Sequence, residues 1–260
     1  MLTTLASYAT IAGNLQRSLS TTAAKPQVAR DTEYYLAHIV DVKSIDDFLG
    51  DDRLFAYAMK AFGLEDMTYA KALMRKVLAG GIDKRDSFAN SLVDPRYRDF
   101  AATFNFVRYD TTTTIFDSTR QGTVDRYVRQ TLEEDAGQQN EGVRLALYFE
   151  RKASGLTSAY GILADIALVK VAQTALGIPA SASAMDIDRQ AQMISAKLDI
   201  EDLKDPEKLA SFLNRFASLW ELENPTSAPT SPAVLFSQPL ELGIGADLLA
   251  SLQNLKLGGL

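Results

Sequence analysis

Apolar residues in this chain recur at helical spacing, and most of the stripes they form are closed by glycine or opened by an aspartate–proline pair. That punctuation constrains the fold more than any other feature and predicts an all-α chain. Leu54, Phe55, Ala58, Met59 and Phe62 share one stripe, with Asp51 or Asp52 as cap and Gly63 as stop. A second helix runs from about Asp66 through Met67, Ala70, Met74, Val77 and Leu78 to Gly80-Gly81. Asp94-Pro95 opens a third, with the stripe Tyr97, Phe100, Ala101 and Phe104. Residues 107–118, with the run Thr111 to Thr114, read as a loop or short extended excursion, because threonine runs disfavour helix. Helices resume at about Val124–Glu134 and Val143–Ala153, with Gly137 and Gly142 bracketing the turn between them. Ser158–Leu176 reads as one longer helix, apolar on more than one face, and so as the centre of a multi-helix bundle. Helices at about 184–198 and 205–222 follow, the last opened by Asp205-Pro206.

Part of this pattern occurs twice. Leu54 to Gly63 followed by Asp94-Pro95 parallels Leu168 to Gly177 followed by Asp205-Pro206. With the glycines aligned, Ala58 and Ala61 match Ala172 and Ala175; Phe100 and Phe104 match Phe212 and Phe216 one residue out of the Asp-Pro register. An old duplication accounts for this, and so does the general likeness of helical hairpins.

Charge divides the chain. Of 60 charged side chains, residues 1–24 hold only Arg17, and residues 223–260 hold Glu223, Glu241, Asp247 and Lys256. Pro225, Pro229, Pro232 and Pro239 fall close together among Ser, Thr and Ala. The expected organisation is a helical arm over 1–26, an α-helical core over 27–222, a proline-rich linker over 223–239 and an apolar helical segment over 240–260.

The weakly charged ends carry the candidate interaction residues. Leu5, Tyr8, Ala12, Leu15 and Leu19 follow 3-4-3-4 spacing, the seam of a helix that packs on another helix. About two heptads are marginal alone, so this seam needs its own core, the C-terminal segment or another chain. Leu248, Leu252 and Leu255 form a similar short stripe. Docking on the central bundle and packing between molecules both satisfy these stripes.

The same sequence excludes many chemistries. It has no cysteine and one histidine, His38, so thiolate catalysis and Cys/His zinc sites are out of reach within one chain. His38 reads as a partly buried residue with one hydrogen bond. Glu133-Glu134-Asp135 reads as a solvated helix end, because neighbours on a helix point about 100° apart and do not converge. Arg144, Glu150, Arg151 and Lys152 read as exterior ion pairs. Asp46-Asp47 and Asp51-Asp52 lack the order of a calcium loop, and no phosphate loop, dinucleotide fingerprint or nucleophile elbow occurs. No catalytic, cofactor-binding or metal-ligating residue is expected, and no cofactor. A net charge of −6 and a pI near 5.0 disfavour nucleic acid as a partner. No apolar run reaches the ~20 residues of a membrane span, and the N-terminus lacks the pattern of a cleaved signal peptide.

Several segments together carry a family resemblance. They include Asp46-Asp47-Phe48-Leu49, Tyr57-Ala58-Met59-Lys60-Ala61-Phe62-Gly63-Leu64, Met74-Arg75-Lys76-Val77-Leu78 and Ser87-Phe88-Ala89-Asn90. They continue with Arg144-Leu145-Ala146-Leu147-Tyr148-Phe149-Glu150-Arg151-Lys152-Ala153, Ile162-Leu163-Ala164-Asp165, Thr174-Ala175-Leu176-Gly177 and Leu213-Asn214-Arg215-Phe216. Over roughly 27–222 the chain resembles a bacterial family of uncharacterised proteins, a domain of unknown function, encoded in flagellar gene clusters. The resemblance implies a part in flagellar assembly or motility without enzymatic activity, and partners that are other flagellar subunits or copies of the chain itself. It implies a cytoplasmic place or export to the flagellum without a cleaved signal. A helical enzyme or binder of a small ligand or divalent metal, and a cytoplasmic regulator or chaperone, are the competing expectations.

Overall fold

The computed structural model describes residues 2–225, and every regular element in that span is helical. In chain order these are α1 (Thr4–Ala12), α2 (Leu15–Ala23), α3 (Pro26–His38), α4 (Ile45–Gly50), α5 (Asp52–Ala61), α6 (Lys71–Gly80), α7 (Phe88–Ser91) and α8 (Pro95–Thr103). They continue with α9 (Phe106–Tyr109), α10 (Gln121–Gln139), α11 (Glu141–Ala153), α12 (Ala159–Leu163), α13 (Ile166–Leu176), α14 (Ile187–Ser195) and α15 (Pro206–Glu223). Short 3₁₀ turns join several of them. The expected all-α multi-helix bundle is what the chain forms.

The helices gather around two hydrophobic cores. The first takes Tyr35, Phe48, Leu54, Tyr57, Met74, Phe100 and Phe104 from α3 to α8, and Val124, Tyr127 and Val128 from the start of α10. The second takes Val143, Leu147, Phe149, Leu168, Val171, Ala191, Ile194, Leu213, Phe216 and Trp220, together with Tyr8 of α1. Helix α10 begins in the first core and reaches Ala136, which packs on the second. Each fully buried Leu, Phe or Met contributes about 1.5–3 kcal/mol relative to exposure.

The two cores are built on one plan. Ser44 and Ser158 are the N-cap residues of α4 and α12, and Asp51 and Asp165 cap α5 and α13 with a side-chain oxygen. Leu54 matches Leu168, Ala58 matches Ala172, and Ala61 matches Ala175, all buried. Both helices then end on a glycine with positive φ, Gly63 at 70° and Gly177 at 60°. Past each glycine the next N–H reaches back to the last turn: Leu64 to the Met59 carbonyl and Ile178 to that of Gln173, each at 2.8 Å. Even the tie to the helix before last recurs, Tyr34 of α3 to Asp51 and Tyr148 of α11 to Asp165. All these pairs stand 114 residues apart, as 177 is from 63, with no gap between Tyr34 and Leu64. After them each half runs a 3₁₀ turn, a helix and a further short helical element, α7 in the first half and a 3₁₀ turn in the second, before an Asp-Pro helix start. Residues 34–64 and 148–178 thus form an internal structural repeat.

Several boundaries differ from the sequence expectation. The seam over Leu5 to Leu19 is two helices, because the chain breaks at Gly13-Asn14, where a Cβ on Gly13 would stand 2.8 Å from the Ala9 carbonyl oxygen. The helix expected over Ser158–Leu176 is α12 and α13, separated because the Asp165 side chain takes the Ala167 and Leu168 N–H groups and starts a new helix. Ile166 is 88% exposed, so α13 is buried on one side only. The helix placed from Asp66 starts at Lys71 after a 3₁₀ turn over Glu65–Met67. The excursion over 107–118 is helical, α9 followed by 3₁₀ turns, with threonine hydroxyls bonding carbonyls three residues back. Helix α10 runs through Gly137 and turns at Asn140. Gly137 serves close packing there, since a Cβ would meet Arg144 at 2.7 Å. The linker beyond residue 225 and the segment bearing Leu248, Leu252 and Leu255 lie outside the described residues.

Candidate functional site

The N-terminal stripe does not stay on one face. Tyr8 is buried in the second core, and Ala12 packs against the same core. Leu19 packs against the first core, Leu15 is half-buried and Leu5 is exposed. Helices α1 and α2 therefore strap across both halves. The strap is fastened at its start. Glu221 accepts hydrogen bonds from the Thr4 backbone N–H (2.8 Å) and hydroxyl, and Asn140 donates to the Thr4 oxygen at 2.9 Å. Beside them Gly142 leaves room for Trp220, where a Cβ would come within 2.3 Å of the indole. Leu5 and Leu222 flank this fastening in sequence, and Leu2 and Leu222 stand 65% and 79% exposed.

A second polar cluster occupies the seam between the halves. Glu133 of α10 is 2% exposed and receives Arg129 at 2.9 Å and both arms of Arg151 at 2.8 Å. Arg129 also donates to the Leu147 carbonyl at 2.8 Å and lies 3.4 Å from Glu150. The expectation of a solvated acidic helix end thus fails at Glu133, and that of purely exterior pairs fails at Arg151. Helix α11 crosses α10 there and covers them. Glu134 and Asp135 fan out to Lys60 (2.8 Å) and Lys25 (2.6 Å), as neighbours on a helix must. The i,i+4 spacing of Arg129 and Glu133 was the available signal; the burial was not in the spacing.

Above that network sit Tyr148, Lys152 and Asp165 of the second repeat with Asp94, Arg96 and Asp99 of the first. Tyr148 donates to Asp165 at 2.6 Å, and Lys152 stands 3.9 Å from Asp99. Burial, then the Asp165 hydrogen bond, raises the Tyr148 phenol above its ordinary value. Burial, then the neighbouring Arg151, lowers the Lys152 ammonium. Arg96 is held by Asp94 and by the Gly63 carbonyl. His38, in contrast to the expectation of partial burial, is exposed; its ring stacks on Tyr34 at 3.9 Å and bonds the Tyr34 carbonyl at 2.8 Å.

Little of this surrounds an enclosed space. A cavity of about 10 Å³ lies among Leu163, Gln173, Ile178, Ala182, Gln190, Met193 and Ile194. A surface cleft of about 330 Å³ is lined by Leu36, Ile115, Asp117, Arg120 and Gln121, most of them exposed. Ligand pockets typically enclose ≈ 300–1,000 Å³ and bury most of the ligand, which the cavity is too small and the cleft too open to do. Among the described residues, no three Asp, Glu or His side chains are placed to share a metal ion, and no helix is long and apolar enough to cross a membrane.

Comparison with known proteins gives a family and a fold relative. Residues 61–209 match the family described as "Protein of unknown function (DUF1217)". The crystal structure of Protein AGR_C_984 from Agrobacterium tumefaciens, a structural-genomics target, is 46% identical. It aligns over 85% of this chain and 94% of its own, with a TM-score of 0.79. Among curated proteins none matches.

Proposed function

The chain belongs to the DUF1217 family, proteins of unknown function, and from that premise we propose that it is a non-enzymatic, flagellum-associated structural or assembly protein that acts through protein–protein contacts. The flagellar part of the reading is supported by the resemblance of its segments over 27–222 to proteins encoded in flagellar gene clusters. The observation that carries the contact part is the contrast between interior and surface. Both cores are filled by their own side chains, while Leu2, Leu5 and Leu222 remain exposed around the Thr4–Glu221 fastening. Exposed apolar side chains beside a rigid element suit a partner surface better than a reaction site. The partners in this reading are flagellar subunits or further copies of the chain. Deleting the gene tests it: swimming should be impaired or flagella malformed, and a strain that swims normally on normal flagella would overturn it.

A further inference from the structure

Helices α1 and α2 are neighbours in sequence but pack in different places. Helix α1 lies on α11 and α15, with Tyr8 in the second core, whereas α2 lies on α10 and α3. Gly13 and Asn14 alone join them. Asn14 leaves the helical conformation (φ −142°, ψ 52°), and its side chain does not cap α2.

Three observations point to an unbroken form of the same segment. Leu5, Tyr8, Ala12, Leu15 and Leu19 keep 3-4-3-4 spacing straight across the break, so one helix would carry them on one face. In the bent form Leu5 is exposed and Leu15 half-buried. The N–H groups of Leu15, Gln16 and Arg17 find no acceptor among the described residues; in an unbroken helix they would bond the carbonyls of Ile11, Ala12 and Gly13. The second half already shows the unbroken form. At the 114-residue spacing α3 falls on α11, α2 on Arg129–Gly137 of α10, and the Gly13-Asn14 break on Tyr127-Val128, inside that single helix.

We propose that α1 exchanges between two copies of this chain. The Gly13-Asn14 hinge straightens, α1 and α2 become one helix, and α1 of each molecule takes the place on α11 and α15 of the other. The structure identifies the occupant, because α1 is what this surface already receives. It places Tyr8 in the second core, Thr4 against Glu221 and Asn140, and the Thr4 methyl beside Gly142. Both states make these contacts, so the hinge and the protein concentration set the balance between them. This exchange is independent of the flagellar reading: a monomeric protein leaves that reading standing, and normal swimming without the gene leaves the exchange standing.

Light scattering on the full chain, held warm over a concentration series, tests it. The wild type should form a dimer whose share rises with concentration. Gly13→Ala crowds the Ala9 carbonyl in the bent form and favours helix in the straight one, so it should strengthen the dimer about tenfold or more. Leu15→Pro suits the first position of α2 but clashes with the Ile11 carbonyl in an unbroken helix, so it should stay monomeric. Should Leu15→Pro fail to melt cooperatively, Gly13→Ala carries the comparison. Exchange itself is read in the double variant L5C/L222C, since the chain has no cysteine of its own. These positions adjoin the bonded Thr4 and Glu221, so a flexible bis-maleimide joins them. In the exchanged dimer it should join two chains and give a covalent dimer on a denaturing gel. A wild type that is monomeric at every concentration, a dimer whose cross-links stay within single chains, or a folded Leu15→Pro variant that dimerises like the wild type overturns the proposal.

Discussion

The Tyr148 hydroxyl donates to the Asp165 carboxylate across 2.6 Å, and the other oxygen of that carboxylate caps α13 by accepting the Ala167 and Leu168 N–H groups. One side chain thus both starts a helix and ties it to α11. Asp165→Ala should cost about 2 kcal/mol or more, since it removes a cap worth ~1 kcal/mol and strands a phenol that burial dominates. Asp51→Ala, at the matching place, removes a cap too, but the Tyr34 hydroxyl has water available, so about 1 kcal/mol is expected. Urea unfolding of the two variants measures the difference; equal losses would contradict it.

Glu133 separates a buried ion-pair network from exposed ones. Glu133→Ala leaves Arg129 and Arg151 facing each other without their shared counter-charge and should cost about 3–5 kcal/mol. Asp135→Ala, whose partner Lys25 lies at the surface, should cost about 1 kcal/mol or less, and Glu134→Ala, whose partner Lys60 is half-buried, should fall between the two. Thermal melts of the three variants give the ranking directly.

Trp220 is the sole tryptophan and reports on the N-terminal strap. It is 5% exposed and packs against Gly142, close to Thr4. Deleting residues 2–12 should shift its emission to longer wavelength and lower the melting temperature, because Tyr8 and Thr4 leave the second core. Gly142→Ala should cost about 2–3 kcal/mol by overpacking the indole. An N-terminus that could be removed without either change would be an appendage, not part of the core.

Burial raises the pKa values of Tyr8, Tyr35, Tyr57, Tyr127 and Tyr148 above that of an exposed phenol. The folded state then holds these protons more tightly than the unfolded chain, whose tyrosines titrate near ~10. Their contribution to stability is fully present below pH ~10 and is lost as pH rises above it toward the folded values. Phenolate absorbance should therefore develop in a late phase that coincides with loss of helical circular dichroism. Ionisation of all tyrosines before any loss of helix would contradict this.

The parts of the fold that local chemistry sets were legible in the sequence. Asp51 before α5, Asp94-Pro95 before α8, Asp205-Pro206 before α15 and Gly63 and Gly177 after their helices all stand where the spacing placed them. The alanines aligned on those glycines pointed to the repeat. Its phenylalanines obscured it: Phe104 ends α8 in the first half, whereas α15 runs on through Phe216 in the second. What depended on contacts across the chain was not legible. The burial of Glu133 needs α11, and the Tyr–Asp ties join residues whose partners lie a helix away. Asp165 reads as one more polar residue in an apolar stretch until its side chain is seen to take the backbone N–H groups that separate α12 from α13.

The central claim, a contact protein of the flagellum, is tested most directly by following the chain, tagged at its own locus, through cytoplasm, purified flagella with their basal bodies, and culture supernatant. The account predicts enrichment with the flagellar structures or co-purification with a flagellar subunit. A chain wholly in the cytoplasm, bound to no flagellar subunit whether or not flagella are being built, would contradict it.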